Sequence, residues 1–401
     1  MILNTNTSND TISQFFLDVV NEFESILSFW EKNALDNKNG GFWGQIDFDN
    51  TKNEFADKGS VLNARILWTF SAAYQVTKNK NHLSIAERAF NYIDNYFYDT
   101  EFGGIFWSLN YDGTPKDTKN QIYSLAFTIY GLSEYYKISQ KDEALQLAIN
   151  LYNKIEKYSY DKDKEGYFEA FTRDWLPIED LRLSDKDANE KKTMNTHLHI
   201  VEAYANLYQV WPDFDLKAKI KKLLNVISVY FIDKKTWHLK LFFDENWIEK
   251  PDVISYGHDI EASWLLQWCA EVIEDKELIN KYQKYAVELA KATKEGIDID
   301  GGLWYEYDPR KNEMITEKHW WPQAELWIGM VNAWQLTGDE EFIKIAKANF
   351  YFVQKFIVDG NKGEWIWGIY EDYSKIEKDK AGFWKCPYHN VRACLELFKR
   401  L

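Results

Sequence analysis

The chain has 401 residues, of which 45% are hydrophobic and 17% aromatic, and it carries a formal net charge of -15. Such a chain can bury a large core, and its excess of acid excludes nucleic acid and anionic membrane surfaces, which require clustered Lys and Arg. A neutral small molecule fits better as the partner.

Helical periodicity first appears at 12–30 and gives way to Gly40-Gly41-Phe42-Trp43, a glycine and aromatic segment of the kind that opens a short β-hairpin. The unit then recurs. Helical stretches at 61–74 and 86–97 lead to Gly103-Gly104-Ile105-Phe106-Trp107, which continues into the strand and turn Ser108-Leu109-Asn110-Tyr111-Asp112-Gly113. Stretches 122–136 and 144–158 lead to Gly166-Tyr167-Phe168, and 199–211 with 220–231 to Trp237-His238-Leu239. Stretches 260–272 and 282–292 precede Gly301-Gly302-Leu303-Trp304, with Glu306-Tyr307-Asp308-Pro309 as its turn. Finally, 324–336 and 342–352 precede Gly363-Glu364-Trp365, and 391–398 ends the chain. A spacing of about 60 to 70 residues marks six weak internal repeats. Twelve helices in six hairpin-linked pairs predict an all-α fold. It is one closed (α/α)6 barrel spanning residues 1–401, with the hairpins at one mouth and no interdomain linker.

The N-terminal stretch Met1-Ile2-Leu3-Asn4-Thr5-Asn6-Thr7 has no basic region followed by an apolar one, and no segment approaches the roughly 20 apolar residues of a membrane span. A cytoplasmic protein is expected. Cys269, Cys386 and Cys394 have neither metal-site spacing nor an even count, so they read as free thiols.

In every repeat the helix after the hairpin carries the unusual polar and aromatic residues, namely Arg65, Tyr123, Asn195 with His199, His258 with Glu261, Trp321 with Glu325, and His389. These helices should form the inner ring; if parallel, they bring their N-terminal ends to one pocket. Within Tyr256-Gly257-His258-Asp259-Ile260-Glu261, positions i and i+3 share a helix face, so Glu261 is expected to orient His258 as an acid/base. His82 and His238 read as structural. In Asn195-Thr196-His197-Leu198-His199, positions i and i+2 point apart, so at most one histidine enters the pocket and the pair cannot chelate one ion. No metal is expected. Arg65, inside an apolar helical run, either pairs with a carboxylate such as Glu325 or binds substrate oxygens. Trp304, Trp320, Trp321 and Trp384, near hairpins and helix starts, could stack on sugar rings, while most of the 18 Trp fill the core.

Ala64-Arg65-Ile66-Leu67-Trp68, Met194-Asn195-Thr196-His197-Leu198-His199, the His258 tract, Trp320-Trp321-Pro322-Gln323-Ala324-Glu325 and Lys385-Cys386-Pro387-Tyr388-His389-Asn390 occur in order along the chain. With them the sequence resembles the N-acylglucosamine 2-epimerase superfamily, most closely its cellobiose 2-epimerase branch. The resemblance implies cofactor-independent epimerisation at C2 of a reducing-end sugar. It implies His258 and His389 as the acid/base pair, and His199 and Arg65 as contacts to the reacting oxygens. Tyr123, Asn195, Glu261, Trp321 and Trp384 would complete the pocket, and Glu325 would be a carboxylate near the arginine. Trp304 is added as a substrate-stacking candidate. The expected partner is a carbohydrate, and the expected state a monomer. Two alternatives stay open: a monosaccharide epimerase or isomerase, whose pocket width hairpin lengths would set, and an inverting glycoside hydrolase on the same barrel, which needs two carboxylates about 6.5 to 9.5 Å apart. A non-catalytic glycan-binding barrel is a third.

Overall fold

Two kinds of helix alternate along residues 6–401, the part of the chain that the computed structural model describes. The odd-numbered helices are α1 (Asn6–Asn33), α3 (Lys80–Tyr92), α5 (Asp142–Lys154), α7 (Phe214–Val226), α9 (Lys276–Thr293) and α11 (Glu340–Phe356). From α3 onward each of these buries one stripe, as α3 does with Ile85, Ala86, Ala89 and Phe90, and leaves the opposite face to solvent. The even-numbered helices are α2 (Ser60–Thr77), α4 (Ile122–Ser139), α6 (Met194–Tyr208), α8 (Tyr256–Val272), α10 (Trp320–Thr337) and α12 (Tyr388–Arg400). These are covered on every side. In α2 each residue from Ser60 to Ala73 is buried.

The even helices touch in the cyclic order α2, α4, α6, α8, α10, α12 and back to α2, and each odd helix packs from outside, mainly against one of them. That closed double ring is the (α/α)6 barrel. Short strands close a second ring at the mouth. The strand before an inner helix pairs antiparallel with the hairpin of the following repeat: Lys58↔Leu109, Gln121↔Ala170, Lys192↔Phe243, Ser255↔Glu306 and Lys318↔Ile369. The bridge Ile46↔Ala381 joins the last repeat to the first.

This pairing replaces helix caps. The outer helices α3, α7, α9 and α11 are capped by the side chains of Asn79, Asp213, Asp275 and Asp339. The inner helices α2, α4 and α10 have no capping side chain. Their first N–H groups donate instead to the neighbouring hairpin: Ser60 to Trp107 O at 3.2 Å, Ile122 to Glu169 O at 2.9 Å and Trp320 to Trp367 O at 3.0 Å. Each hairpin turn opens with an aspartate whose carboxylate faces a cation in five repeats. The pairs are Asp36 with Lys58, Asp99 with Arg173, Asp161 with Lys192, Asp298 with Lys318 and Asp359 with Lys380, at 2.6 to 2.9 Å. Lys58, Lys192 and Lys318 belong to strands that precede inner helices, so the pairs fasten helix starts to hairpins.

The inner helices begin earlier than apolar periodicity suggests: α6 at Met194, α8 at Tyr256, α10 at Trp320 and α12 at Tyr388. Their first turns carry polar residues, which interrupt the hydrophobic pattern without breaking the helix. No described helix is long and apolar enough to cross a membrane. Met1 to Thr5, most of the stretch read for a leader, lie outside the described residues.

Candidate active site

At the N-terminal ends of the inner helices lies a cavity of about 560 Å³, lined by Arg65, Tyr123, Asn195, His199, His258, Glu261, Trp321, Trp384 and His389 among others. All six inner helices or their lead-in segments contribute. His197 and His199 separate as helix geometry requires. His199 lines the cavity, whereas His197 is buried behind it between Thr193 O at 2.6 Å and the Tyr167 N–H at 2.9 Å.

The expected Glu261–His258 pair is not present. The Nδ1 of His258 meets Ser255 Oγ at 2.8 Å, one turn back along the chain, while Glu261 Oε1 accepts from Arg392 Nη2 at 2.5 Å. A buried guanidinium is the stronger partner for a carboxylate, and His258, in the first turn, is within reach of the residue preceding the helix. The i, i+3 imidazole–carboxylate pair exists one inner helix earlier, where His199 Nδ1 meets Glu202 Oε2 at 2.8 Å.

Glu325 does not pair with Arg65 and does not line the cavity. Its Oε1 meets His389 Nδ1 at 2.7 Å and Arg392 Nη2 at 2.6 Å, and its Oε2 accepts from Trp264 Nε1 at 3.1 Å. Arg65 has no carboxylate partner among the described residues. Its Nη2 donates to Tyr123 Oη at 2.8 Å, Nη1 approaches Cys386 Sγ at 3.9 Å, and its plane lies 4.1 Å from the Phe127 ring centroid. That leaves a buried positive charge facing the cavity without local compensation, and Nε without an acceptor. Nearby, the cavity-lining Asn195 also has an unpartnered Oδ1. Trp304 lies away from the cavity, where its indole N–H hydrogen-bonds Asp298.

Trp321 stands between the two candidate bases, 4.8 Å from the His258 ring and 5.6 Å from the His389 ring. Gly257 makes this possible, because a Cβ there would lie 2.5 Å from the Trp321 ring. Burial brings His258 down to about 3, and the charges of His199, Lys186 and His389 push in the same direction. His389 is also held well below the usual imidazole range, first by burial, although the Glu261 carboxylate pulls it upward. Both imidazoles therefore sit neutral in the free cavity, each able to accept a proton.

A sequence profile of the N-acylglucosamine 2-epimerase (GlcNAc 2-epimerase) family matches residues 41–393. The chain belongs to this family. It is 47% identical over 373 residues to a cellobiose 2-epimerase of Bacteroides fragilis, covering 93% of this chain and 95% of the relative. The solved cellobiose 2-epimerase of Bacillus thermoamylovorans B4167 superposes with a TM-score of 0.92 at 37% identity, covering 97% of this chain and 100% of that one. A D-mannose isomerase of Marinomonas mediterranea is more distant, at 23% identity over 97% of this chain and 98% of the relative.

Sequence reasoning overlooked a buried network behind the cavity wall. Glu202 Oε1 accepts from Tyr388 Oη at 2.5 Å and from Arg392 Nη1 at 2.5 Å. The Coulombic pull of Arg392 and the hydrogen bond from His199 overcome burial and bring the Glu202 carboxyl down to about 2. Both residues carried a readable signal, since Glu202 is three positions after His199 and Arg392 three after His389. The cluster Glu261, Glu325 and His389 offers ligand atoms within 4.8 Å of one another, but Arg392 Nη2 already bonds both carboxylates, so the guanidinium supplies the cation. The rim was overlooked as well. Lys186, from the long connection between Phe171 and Lys192, bonds Tyr305 Oη at 2.7 Å, and Tyr305 stacks on His319 with centroids 3.9 Å apart.

Proposed function

We propose that the protein is a cellobiose 2-epimerase, reversibly inverting C2 of the reducing-end glucose of β-1,4-linked disaccharides such as cellobiose, lactose and mannobiose. The observation that carries this reading is the pair of neutral imidazoles, His258 and His389, set on either side of Trp321 with their Nδ1 atoms engaged. An ionised carboxylate can only accept, so His389 carries its proton on Nδ1 toward Glu325 and offers Nε2 to the cavity. Identity above 35% to enzymes named for cellobiose, against 23% to a mannose isomerase, supports the disaccharide over the monosaccharide.

The C2 hydrogen becomes acidic only beside a carbonyl, so the pyranose first opens to the aldehyde through proton transfers at O1 and O5. One imidazole then takes the C2 proton. The resulting enediolate places negative charge on O1 and O2, next to Arg65, whose uncompensated guanidinium and preorganised Tyr123 contact suit it to that charge; His199, whose Nδ1–H is engaged by Glu202, presents a bare Nε2 that accepts from whichever of the two oxygens carries a proton. The other imidazole, having first taken up a proton on Nε2 from solvent, delivers it to the opposite face of C2; the ring closes, and the first imidazole releases the C2 proton to solvent. His389 has Glu261 and Glu325 beside it, whereas His258 faces only charges that oppose its protonation. His389 is thus the imidazole better placed to take up that extra proton and deliver it. We further read the enzyme as a cytoplasmic monomer, a setting in which its three free cysteines stay reduced.

Incubation with cellobiose in D₂O tests the reading. The expected product is the mannose-ended epimer with deuterium at C2, and His258→Phe and His389→Phe should each abolish net epimerisation. Release of glucose, or an epimer without solvent deuterium at C2, would sink it.

A further inference from the structure

The guanidinium of Arg392 is 1% exposed and absent from the cavity wall, yet it joins the carboxylates of three different inner helices. Its Nη1 bonds Glu202 Oε1 of α6, and its Nη2 bonds both Glu261 Oε1 of α8 and Glu325 Oε1 of α10. Two of those carboxylates each hold an imidazole by Nδ1: Glu202 holds His199 at 2.8 Å and Glu325 holds His389 at 2.7 Å. Its plane is also fixed, 4.2 Å from the Tyr388 ring centroid and 4.9 Å from that of Trp264. We propose that Arg392 is a positioning residue: by keeping Glu202 and Glu325 as ionised acceptors, it fixes His199 and His389 in the tautomer whose bare Nε2 faces the cavity.

The chemistry follows from donor counting. An ionised carboxylate offers only lone pairs, so the imidazole facing it must supply the N–H from Nδ1. A protonated carboxyl reverses this. Its O–H donates to Nδ1, and the imidazole proton must then sit on Nε2, leaving no base toward the sugar. Burial pushes the Glu325 carboxyl above its ordinary range, and the charge of Arg392 is the largest influence limiting that rise. Without that charge, Glu325 takes a proton from solvent, and His389 changes tautomer without any residue at the cavity wall having been altered. Glu202 is subject to the same argument, with Arg392 again the largest influence that lowers it. Burying three carboxylates around one cation is costly as a stabilising device, because apolar side chains would fill the same space at less cost. Two ordered bases account for its presence. The catalytic consequence rests on the epimerase reading, whereas the tautomers do not.

The test uses the full-length enzyme with ¹⁵N-labelled imidazoles, whose seven histidines are assigned by single substitutions, together with steady-state kinetics on cellobiose. In the wild type, His199 and His389 should both show a protonated Nδ1 and a bare Nε2. In Arg392→Met, His389 should move to the Nε2–H tautomer, and kcat should fall by about 10² or more while KM changes by less than about threefold. Arg392→Lys keeps a buried positive charge and serves if the Met variant does not fold. A single ammonium cannot reproduce the fork, so at least one of the two imidazoles should still switch, with kcat down about tenfold. Loss of kcat with both tautomers intact would make Arg392 merely structural and overturn the proposal; so would switched tautomers with unchanged kcat, or no change in either. If wild-type enzyme made no epimer, the epimerase reading would fail by itself, and the tautomers would still be measurable.

Discussion

Ser255→Ala isolates the way His258 is held. Ser255 Oγ is the hydrogen-bond partner of His258 Nδ1, at 2.8 Å, and neither group is ionised in the free cavity. A neutral hydrogen bond contributes about 0.5–1.5 kcal/mol net, which corresponds to a loss of about 2- to 13-fold in kcat if its whole value is orientation of the base. The ring is not released altogether, because Trp321 still packs 4.8 Å away. The variant should therefore fold normally, keep KM close to wild type and retain several per cent or more of kcat, in contrast to His258→Phe. Initial rates of epimer formation from cellobiose across a concentration series, with a melting curve for each protein, measure this. An unchanged kcat would mean that the hydroxyl does not orient the base. A loss as large as that of His258→Phe would mean that Ser255 has a role of its own in proton transfer, and the argument from a single neutral hydrogen bond would be refuted.

Much of the barrel was legible because it repeats. Six aromatic turns, five of them carrying glycine, mark the period, and the structure places each at the same point, immediately after an outer helix, as in the bridges Tyr98↔Ile105 and Val358↔Trp365. Polar residues inside otherwise apolar helices likewise pointed inward, since Arg65 and His199 can occupy a covered helix only by facing a cavity or a partner. Pairings between side chains were not legible. Spacing offered Glu261 to His258, but a residue three positions away competes with every group brought in by other helices, and Arg392 arrives from 131 residues further along. The strands that lead into the inner helices escaped for a related reason, whereas the hairpin strands at Ser108–Leu109 and Glu306–Asp308 were legible. Two residues such as Lys192-Thr193 have no periodicity to read, and their partner Phe242-Phe243 belongs to the next repeat. A lysine that reads as solvent-exposed in sequence is in fact fully covered and bonded to Asp161.

Two further consequences concern stability and substrate size. Burial holds His197 at about 3, where its Nε2 must stay bare to accept the Tyr167 N–H; once unfolded, the imidazole titrates near 6.5. The unfolded chain then binds a proton that the folded one refuses, so this residue's contribution to stability falls as pH drops from 6.5 toward 3, by about 1.4 kcal/mol per pH unit. His197→Gln, whose amide can bridge the same two backbone groups, should flatten the acid limb of a denaturant-midpoint curve by that slope, and an unaltered limb would show that the imidazole titrates freely when folded. Trp384 bears on substrate size. It is half-buried on the cavity wall, 6.0 Å from the Tyr123 ring and 5.9 Å from that of Trp107, and it enters from the segment just before α12. The reducing-end sugar must reach His258 and His389 at the helix starts, so a second ring linked through O4 extends away from them and needs an apolar face nearer the mouth. Trp384→Ala removes one aromatic contact and should cost about tenfold in kcat/KM on cellobiose while changing activity on glucose or mannose by less than about threefold. Equal losses on both would place Trp384 beside the reacting ring, and the monosaccharide reading would then account for the pocket as well as the disaccharide one.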